Sequence, residues 1–174
     1  MTKLEKLASL KKQMAKADLP LKKTANHLVF GAGSPEADVF LIGEAPGKNE
    51  DLTGLPFVGS AGKHLDALFD SIGMVRNDVF ITSILKYRPP NNRPPKINEI
   101  KAHTPFLVKQ IETISPKLIL PLGNFATRFI LAEFNLDKMG GVPGISTLHG
   151  EPKIIKFKTH SFTVVPLYHP ASVL

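Results

Sequence analysis

"VFLIGEAPGKNEDLTGLPFVG", residues 39–59, is the stretch from which the fold can be read. Val39-Phe40-Leu41-Ile42 is a compact apolar run, the pattern of a short strand buried on both faces. It breaks at once into Gly43-Glu44-Ala45-Pro46-Gly47, which is too rich in glycine and proline for regular structure. Glu50 and Asp51 follow, and then Phe57 between Pro56 and Val58. In open α/β sheets ligands bind beyond the carboxyl ends of the strands. A buried strand that stops in a loop bearing carboxylates and an aromatic ring fits that plan.

Outward from this stretch, strands and helices alternate. "SAGKHLDALFDSIG", residues 60–73, reads as a helix with Ser60 as N-cap and Gly73 as its stop. "DVFITSILK", residues 78–86, is a second strand, and four prolines keep "YRPPNNRPPK", residues 87–96, irregular. Residues 97–115 have helical period, with Pro105 placed for a kink or a late start. "KLILPLG", residues 117–123, is a third strand, and residues 124–134 are a helix. "PKIIKFK" and "FTVVPLYHP" form a hairpin or adjacent strands, turning at Thr159-His160-Ser161. At the other end, Leu4, Leu7, Leu10 and Met14 mark an amphipathic helix over residues 2–16, stopped by Pro20. Its lysines read as a solvated face. The expected architecture is a single domain over residues 1–174, with residues 1–25 as an N-terminal helix and connector. It is a three-layer α/β/α sandwich around a central, mainly parallel four-stranded sheet.

Composition narrows the function classes. Lys plus Arg is 22 against 15 for Asp plus Glu, a formal net charge of +7, which favours a polyanionic partner. The chain has no cysteine, which excludes disulfides and cysteine-ligated metal sites. No apolar stretch approaches the ~20 residues of a membrane span. The N-terminus lacks the continuous apolar centre of a secretory signal, so a cytoplasmic location is expected.

The residues after the strands carry the chemistry. Gly43 and Gly47 let backbone approach a ligand or simply make a tight turn. The loop is not a P-loop, since the Gly-Lys-Ser/Thr ending is absent. Phe57 fits either a stacking platform for a flat heterocycle or a core position. His169, straight after a strand, can hydrogen-bond an oxygen on which charge develops, or be satisfied by backbone. Arg88 and Arg93 flank a rigid Pro-Pro-Asn-Asn turn and, with Lys86 and Lys96, suit phosphate contacts.

Together, "GEAPGKNED", "GLPFVGSAGKHLDALF", "DVFITSILKYRPPNNRPP", "PKLILPLGNFAT" and "HPASVL" resemble the uracil-DNA glycosylase superfamily, most of all its thermophile-type family 4. The resemblance implies monofunctional cleavage of the N-glycosidic bond of uracil in single- or double-stranded DNA, leaving an abasic site for base excision repair. It implies a monomer that needs no metal or cofactor for the reaction. A flipped base would sit in a pocket of Gly43, Glu44, Ala45, Phe57, Ser83 and His169. Phe57 would stack on the ring, while the Glu44 amide and His169 would face O2. Glu50, with Asp51 or Glu44 as alternatives, would position water or stabilise the cationic sugar. Lys86, Arg88, Asn91, Asn92, Arg93 and Ser172 would contact DNA, and Val173 and Leu174 would form an apolar wedge.

Two departures stand out. The family carries four cysteines around an iron–sulfur cluster; the matching positions here are Lys16, Leu19, Tyr87 and His103. No cluster is expected, and apolar contacts of Leu19 and Tyr87 would replace it. Family members also place an asparagine where this chain has Ser83, and one hydroxyl cannot span two adjacent base groups as an amide can. Two other readings follow: a non-catalytic DNA-binding module of the same fold, and a glycosylase for another lesion such as hypoxanthine or mismatched thymine.

Overall fold

The computed structural model describes residues 1–173; Leu174, half of the expected wedge, lies outside the described residues. In chain order the elements are α1 (Lys3–Lys16), β1 (Ala32–Gly33), β2 (Val39–Gly43), α2 (Lys48–Thr53), α3 (Ser60–Ser71), β3 (Val79–Ser83), α4 (Ile97–Ile114), β4 (Leu118–Pro121), α5 (Asn124–Leu131), α6 (Ile145–Leu148), β5 (Lys153–Phe157) and β6 (His160–Val164), with short 3-10 turns between them. The sheet order is β1-β3-β2-β4-β6-β5. The strands β3, β2, β4 and β6 run parallel and are the four expected. The two edge strands, β1 and β5, are antiparallel and widen the sheet to six. Only two residues long, β1 carries no periodicity that a sequence pattern could reveal.

Side-chain alternation along the strands builds the three layers. Phe40, Ile42 and Phe80 point into one core, where they meet Leu10 and Met14 of α1, Leu107 and Ile111 of α4, and Phe129 of α5. Leu41, Val79 and Ile81 point the other way, onto Leu65 and Phe69 of α3. Helix α1 lies on α4 through Leu7, Leu10 and Met14, whereas Leu4 stays 64% exposed, narrower than the expected stripe. Thr2 and Glu5 close a capping box at its start.

Several boundaries differ from expectation. The N-cap of α3 is Gly59, with Ser60 as the first helical residue. Helix α4 starts at Ile97 as expected and runs past Pro105 without the late start that the proline allowed. The second strand stops at Ser83, three residues short of Lys86. Helix α2 was not foreseen, because "KNEDLT" shows no apolar periodicity. Its effect on the site is large: it aims Glu50 and Asp51 in different directions.

At the carboxyl edge the strand ends come together. Gly43 and Ser83 are register partners, and Leu122 bridges to Leu167. The chain segments that follow these four residues enclose the candidate site.

Candidate active site

The floor is built by Gly43, Ser83 and Phe57. A Cβ at Gly43 would lie 2.9 Å from Phe57 Cζ and 3.2 Å from Ser83 Oγ, so only glycine lets the ring lie across the strand end. Phe57 is buried against the α3 core, yet it also lines a cavity of about 310 Å³ with Glu50, Ser83, Asn92 and His169. Phe57 is thus a core residue, as one sequence reading has it, and it also lines the cavity, where the platform reading needs it. Ser83 is only 5% exposed, and among the described residues its hydroxyl has no hydrogen-bond partner.

Glu50 is held from two sides. Its Oε1 accepts the amides of Val58 and Gly59 at 3.1 and 3.2 Å, and its Oε2 lies where a Cβ on Gly47 would crowd it. Opposite, the His169 ring stands 5.7 Å from that of Phe57. His169 Nδ1 accepts the Ala171 amide at 3.1 Å. In the neutral ring the proton therefore sits on Nε2. Burial holds the His169 pKa below its ordinary value, with the Glu50 charge acting against that shift. Glu44 lines a neighbouring cavity of about 490 Å³ together with His169, Asn124, Phe125 and Arg128. Burial raises its pKa above the ordinary carboxylate value. Its backbone carbonyl accepts the Leu85 amide at 3.1 Å, while among the described residues the amides of Glu44 and Ala45 donate to no protein group.

Asp51 does not join them. It is buried, with Oδ1 accepting the Asn26 amide at 2.8 Å and Oδ2 the Asn26 side-chain amide at 2.6 Å. It anchors the N-terminal connector, which removes it as a candidate for positioning water.

The expected DNA contacts divide. Lys86 is 0% exposed and is no phosphate ligand. Its Nζ donates to Thr82 Oγ1 and, at 2.7 Å, to Gln110 Oε1, and burial pulls its pKa well below the ordinary value. A charge pattern alone places lysine outside; the chain turns inward after Ser83 and carries it in. Arg88 Nε donates to Asn92 Oδ1 at 2.7 Å, which holds Asn92 at the mouth of the cavity. Asn91 and Asn92 are exposed and share a φ of +54°, which asparagine tolerates. Arg93 is clasped by the buried Glu99 at 2.5 and 3.0 Å, so it braces the loop more than it offers a free cation. The Ser172 hydroxyl donates to the His169 carbonyl at 2.6 Å and braces the histidine's backbone. Asn124 and Arg128 also line the larger cavity and were not among the expected site residues; Asn124 lies in "LGNFAT", directly after a strand, and Arg128 one residue beyond it.

The positions matching the family's cluster cysteines do not fit an iron–sulfur cluster. Leu19 and Tyr87 are buried side chains without thiolate chemistry. His103 has both ring nitrogens engaged: Nδ1 accepts the Lys86 amide at 2.9 Å, and Nε2 donates to the Pro20 carbonyl at 3.2 Å. The Tyr87 ring packs edge-on against it, with centroids 6.0 Å apart. A histidine bridge thus ties the N-terminal connector to the segment after β3. Leu19 and Tyr87 pack as expected, but the polar link comes from His103. Among the described residues no cluster of three or more His, Cys, Asp or Glu is arranged for a metal ion.

A family model described as the uracil DNA glycosylase superfamily matches residues 30–174. The type-4 uracil-DNA glycosylase of Archaeoglobus fulgidus is 44% identical over 154 residues, 88% of this chain and 75% of that protein. The type-4 uracil-DNA glycosylase of Sulfurisphaera tokodaii is 45% identical over 148 residues, 84% of this chain and 65% of that protein. The type-4 uracil-DNA glycosylase of Pyrobaculum aerophilum is 37% identical over 173 residues, 98% of this chain and 84% of that protein.

Proposed function

The chain belongs to the uracil DNA glycosylase superfamily, and from that membership we propose that it hydrolyses the N-glycosidic bond of uracil in DNA and leaves an abasic site. The observation that carries this reading is the His169 tautomer: with Nδ1 taken by the Ala171 amide, the neutral ring is left with an Nε2–H to donate beside the Phe57 platform. A base reached by chemistry must leave the stack and enter such a pocket. As the bond from C1′ to N1 breaks, its electron pair goes to the pyrimidine and charge gathers on O2. His169 Nε2–H and the free Glu44 amide supply preorganised donors for that charge. The sugar becomes cationic, and the Glu50 carboxylate faces it and the incoming water, held by the two loop amides. Water adds at C1′ and gives up a proton, which passes through solvent to the departed uracil anion, so the products are the abasic sugar and neutral uracil. The +7 charge supports DNA as the partner, with Arg88 and the asparagine turn at the cavity mouth. We propose that the chain acts as a monomer in the cytoplasm, as a single domain, on single- or double-stranded DNA. No described helix is long and apolar enough to cross a membrane.

The test is single-turnover release of uracil from labelled oligonucleotides, single-stranded and paired with guanine or adenine, read as alkaline cleavage at abasic sites. His169→Ala should lower the rate about 100- to 1,000-fold with DNA affinity nearly intact. Unchanged product formation would show that the pocket assignment is wrong. A second reading, release of a further deaminated base such as hypoxanthine, is favoured by the unpartnered Ser83 hydroxyl, which can donate or accept. Inosine released faster than uracil in the same assay would establish it.

A further inference from the structure

Resting on the reading of Phe57 as the platform under the flipped base, we infer that Arg76 is the positioning residue that holds this platform, with Asp66 orienting Arg76. Arg76 lies in the 3-10 turn before β3, and α3 separates it in sequence from the loop it serves. Its Nε donates to Asp66 Oδ1 at 2.6 Å. Its Nη1 donates to the Pro56 carbonyl at 3.0 Å, and its Nη2 donates to the Phe57 carbonyl and lies 3.4 Å from that of Gly62.

The platform needs such a holder. Phe57 has a φ of +50°, a region that bulky L-residues avoid and keep only where surrounding contacts enforce it. Glu50 binds the amides that follow Phe57, and Arg76 binds the carbonyls of Pro56 and Phe57 from the other side. The loop is pressed onto α3 so closely that a Cβ at Gly62 would overlap the Phe57 carbonyl.

The ion pair is not the source of the effect. Arg76 and Asp66 side chains are 31% and 49% exposed, and such pairs contribute little. What a guanidinium supplies is a planar fork of donors that reaches a carboxylate and two carbonyls at once; an ammonium cannot. Arg76 lines a separate cavity of about 360 Å³ behind Phe57 and is absent from the lining of the 310 Å³ cavity. It therefore acts through Phe57.

The experiment is a double-mutant cycle in single-turnover uracil release, with Phe57→Ala, Arg76→Ala and the combination, plus Arg76→Lys. Arg76→Ala should lower the maximal rate about 30- to 100-fold while affinity for uracil-free DNA stays unchanged. Adding Arg76→Ala to Phe57→Ala should cost nothing further. Arg76→Lys should fall between wild type and Arg76→Ala, and methylguanidinium, entering the open cavity, should restore part of the Arg76→Ala rate but none of the Phe57→Ala rate. Losses that multiply, or a wild-type rate in Arg76→Ala, would overturn the proposal. If Arg76→Ala fails to fold, Arg76→Lys carries the cycle. If wild-type protein releases no uracil, the proposed function fails, and amide exchange then decides the clamp. Faster exchange over residues 57–59 in the Arg76 variant, with the strands still protected, supports it; unchanged exchange overturns it.

Discussion

Glu44 and His169 share a cavity wall, and burial drives both towards their neutral forms, the carboxylate by raising its pKa and the imidazole by lowering its own. Their consequences for pH differ. We propose that the Glu44 carboxylate, one of the alternatives to Glu50 in the sequence, adds to the stabilisation of the cationic sugar; a carboxylate in that role must be ionised, so its contribution appears above its folded pKa and is lost as pH falls through it. The raised value places that limb above the ordinary carboxylate range. Burial lowers the His169 pKa from its ordinary value, so the ring is neutral at pH 7 and adds no limb between pH 7 and 8. The single-turnover rate measured from pH 4 to 9 should therefore show an acid limb from Glu44. Glu44→Gln should remove that limb and lower the plateau. A limb that persists unchanged in Glu44→Gln assigns it to another group.

At the scale of elements, the loop after β3 separates two cations that lie two residues apart. Lys86 faces inward to Thr82 and Gln110, and Arg88 reaches outward to Asn92. Each phosphate neutralised by a protein cation adds to the salt dependence of DNA binding. Arg88→Ala should reduce the slope of log affinity against log salt by about 1, whereas Lys86→Met should leave it unchanged. Equal effects from the two variants would contradict the buried placement of Lys86. The turn itself is braced by the Arg93–Glu99 clasp, in which the hydrogen bond from Arg93 does most to lower the Glu99 pKa. That clasp is present above the unfolded carboxylate value and lost as pH falls through the folded one.

For the whole molecule, His103 joins the N-terminal connector, the segment after β3 and α4 at a fully buried point. Burial first, and then the nearby Lys86 charge, hold its pKa to about 4 against the Pro20 and Glu99 contributions. The unfolded chain binds a proton at His103 below pH 6.5, while the folded one resists it down to about 4. Stability from this group is therefore full above pH 6.5 and is lost progressively towards pH 4, roughly 3 kcal/mol in all. Denaturant unfolding at pH 7 and pH 4.5 should show a larger loss in wild type than in His103→Gln, which cannot titrate. With no cysteine in the chain, a thiol reductant should leave the melting temperature unchanged.

The amino-acid sequence by itself determined the order of the main strands and helices, though not β1 or α2, together with the parallel four-strand core and the edge at which chemistry gathers. Those properties follow from local periodicity and from glycine and proline punctuation, which act within a few residues. The pocket of Gly43, Phe57, Ser83 and His169 came from the family resemblance of the motifs, of which Gly43 and Ser83 end strands while Phe57 lies beyond α2. Tertiary structure alone decided which of two adjacent carboxylates faces that pocket. Successive helical residues point about 100° apart, so the short α2 turns Glu50 to the cavity loop and Asp51 to the connector. It alone buried Lys86 among acceptors from β3 and α4, and it alone brought Arg76 to the Phe57 carbonyl across α3. Contacts of that kind depend on where distant segments pack, and a linear pattern carries no register for them.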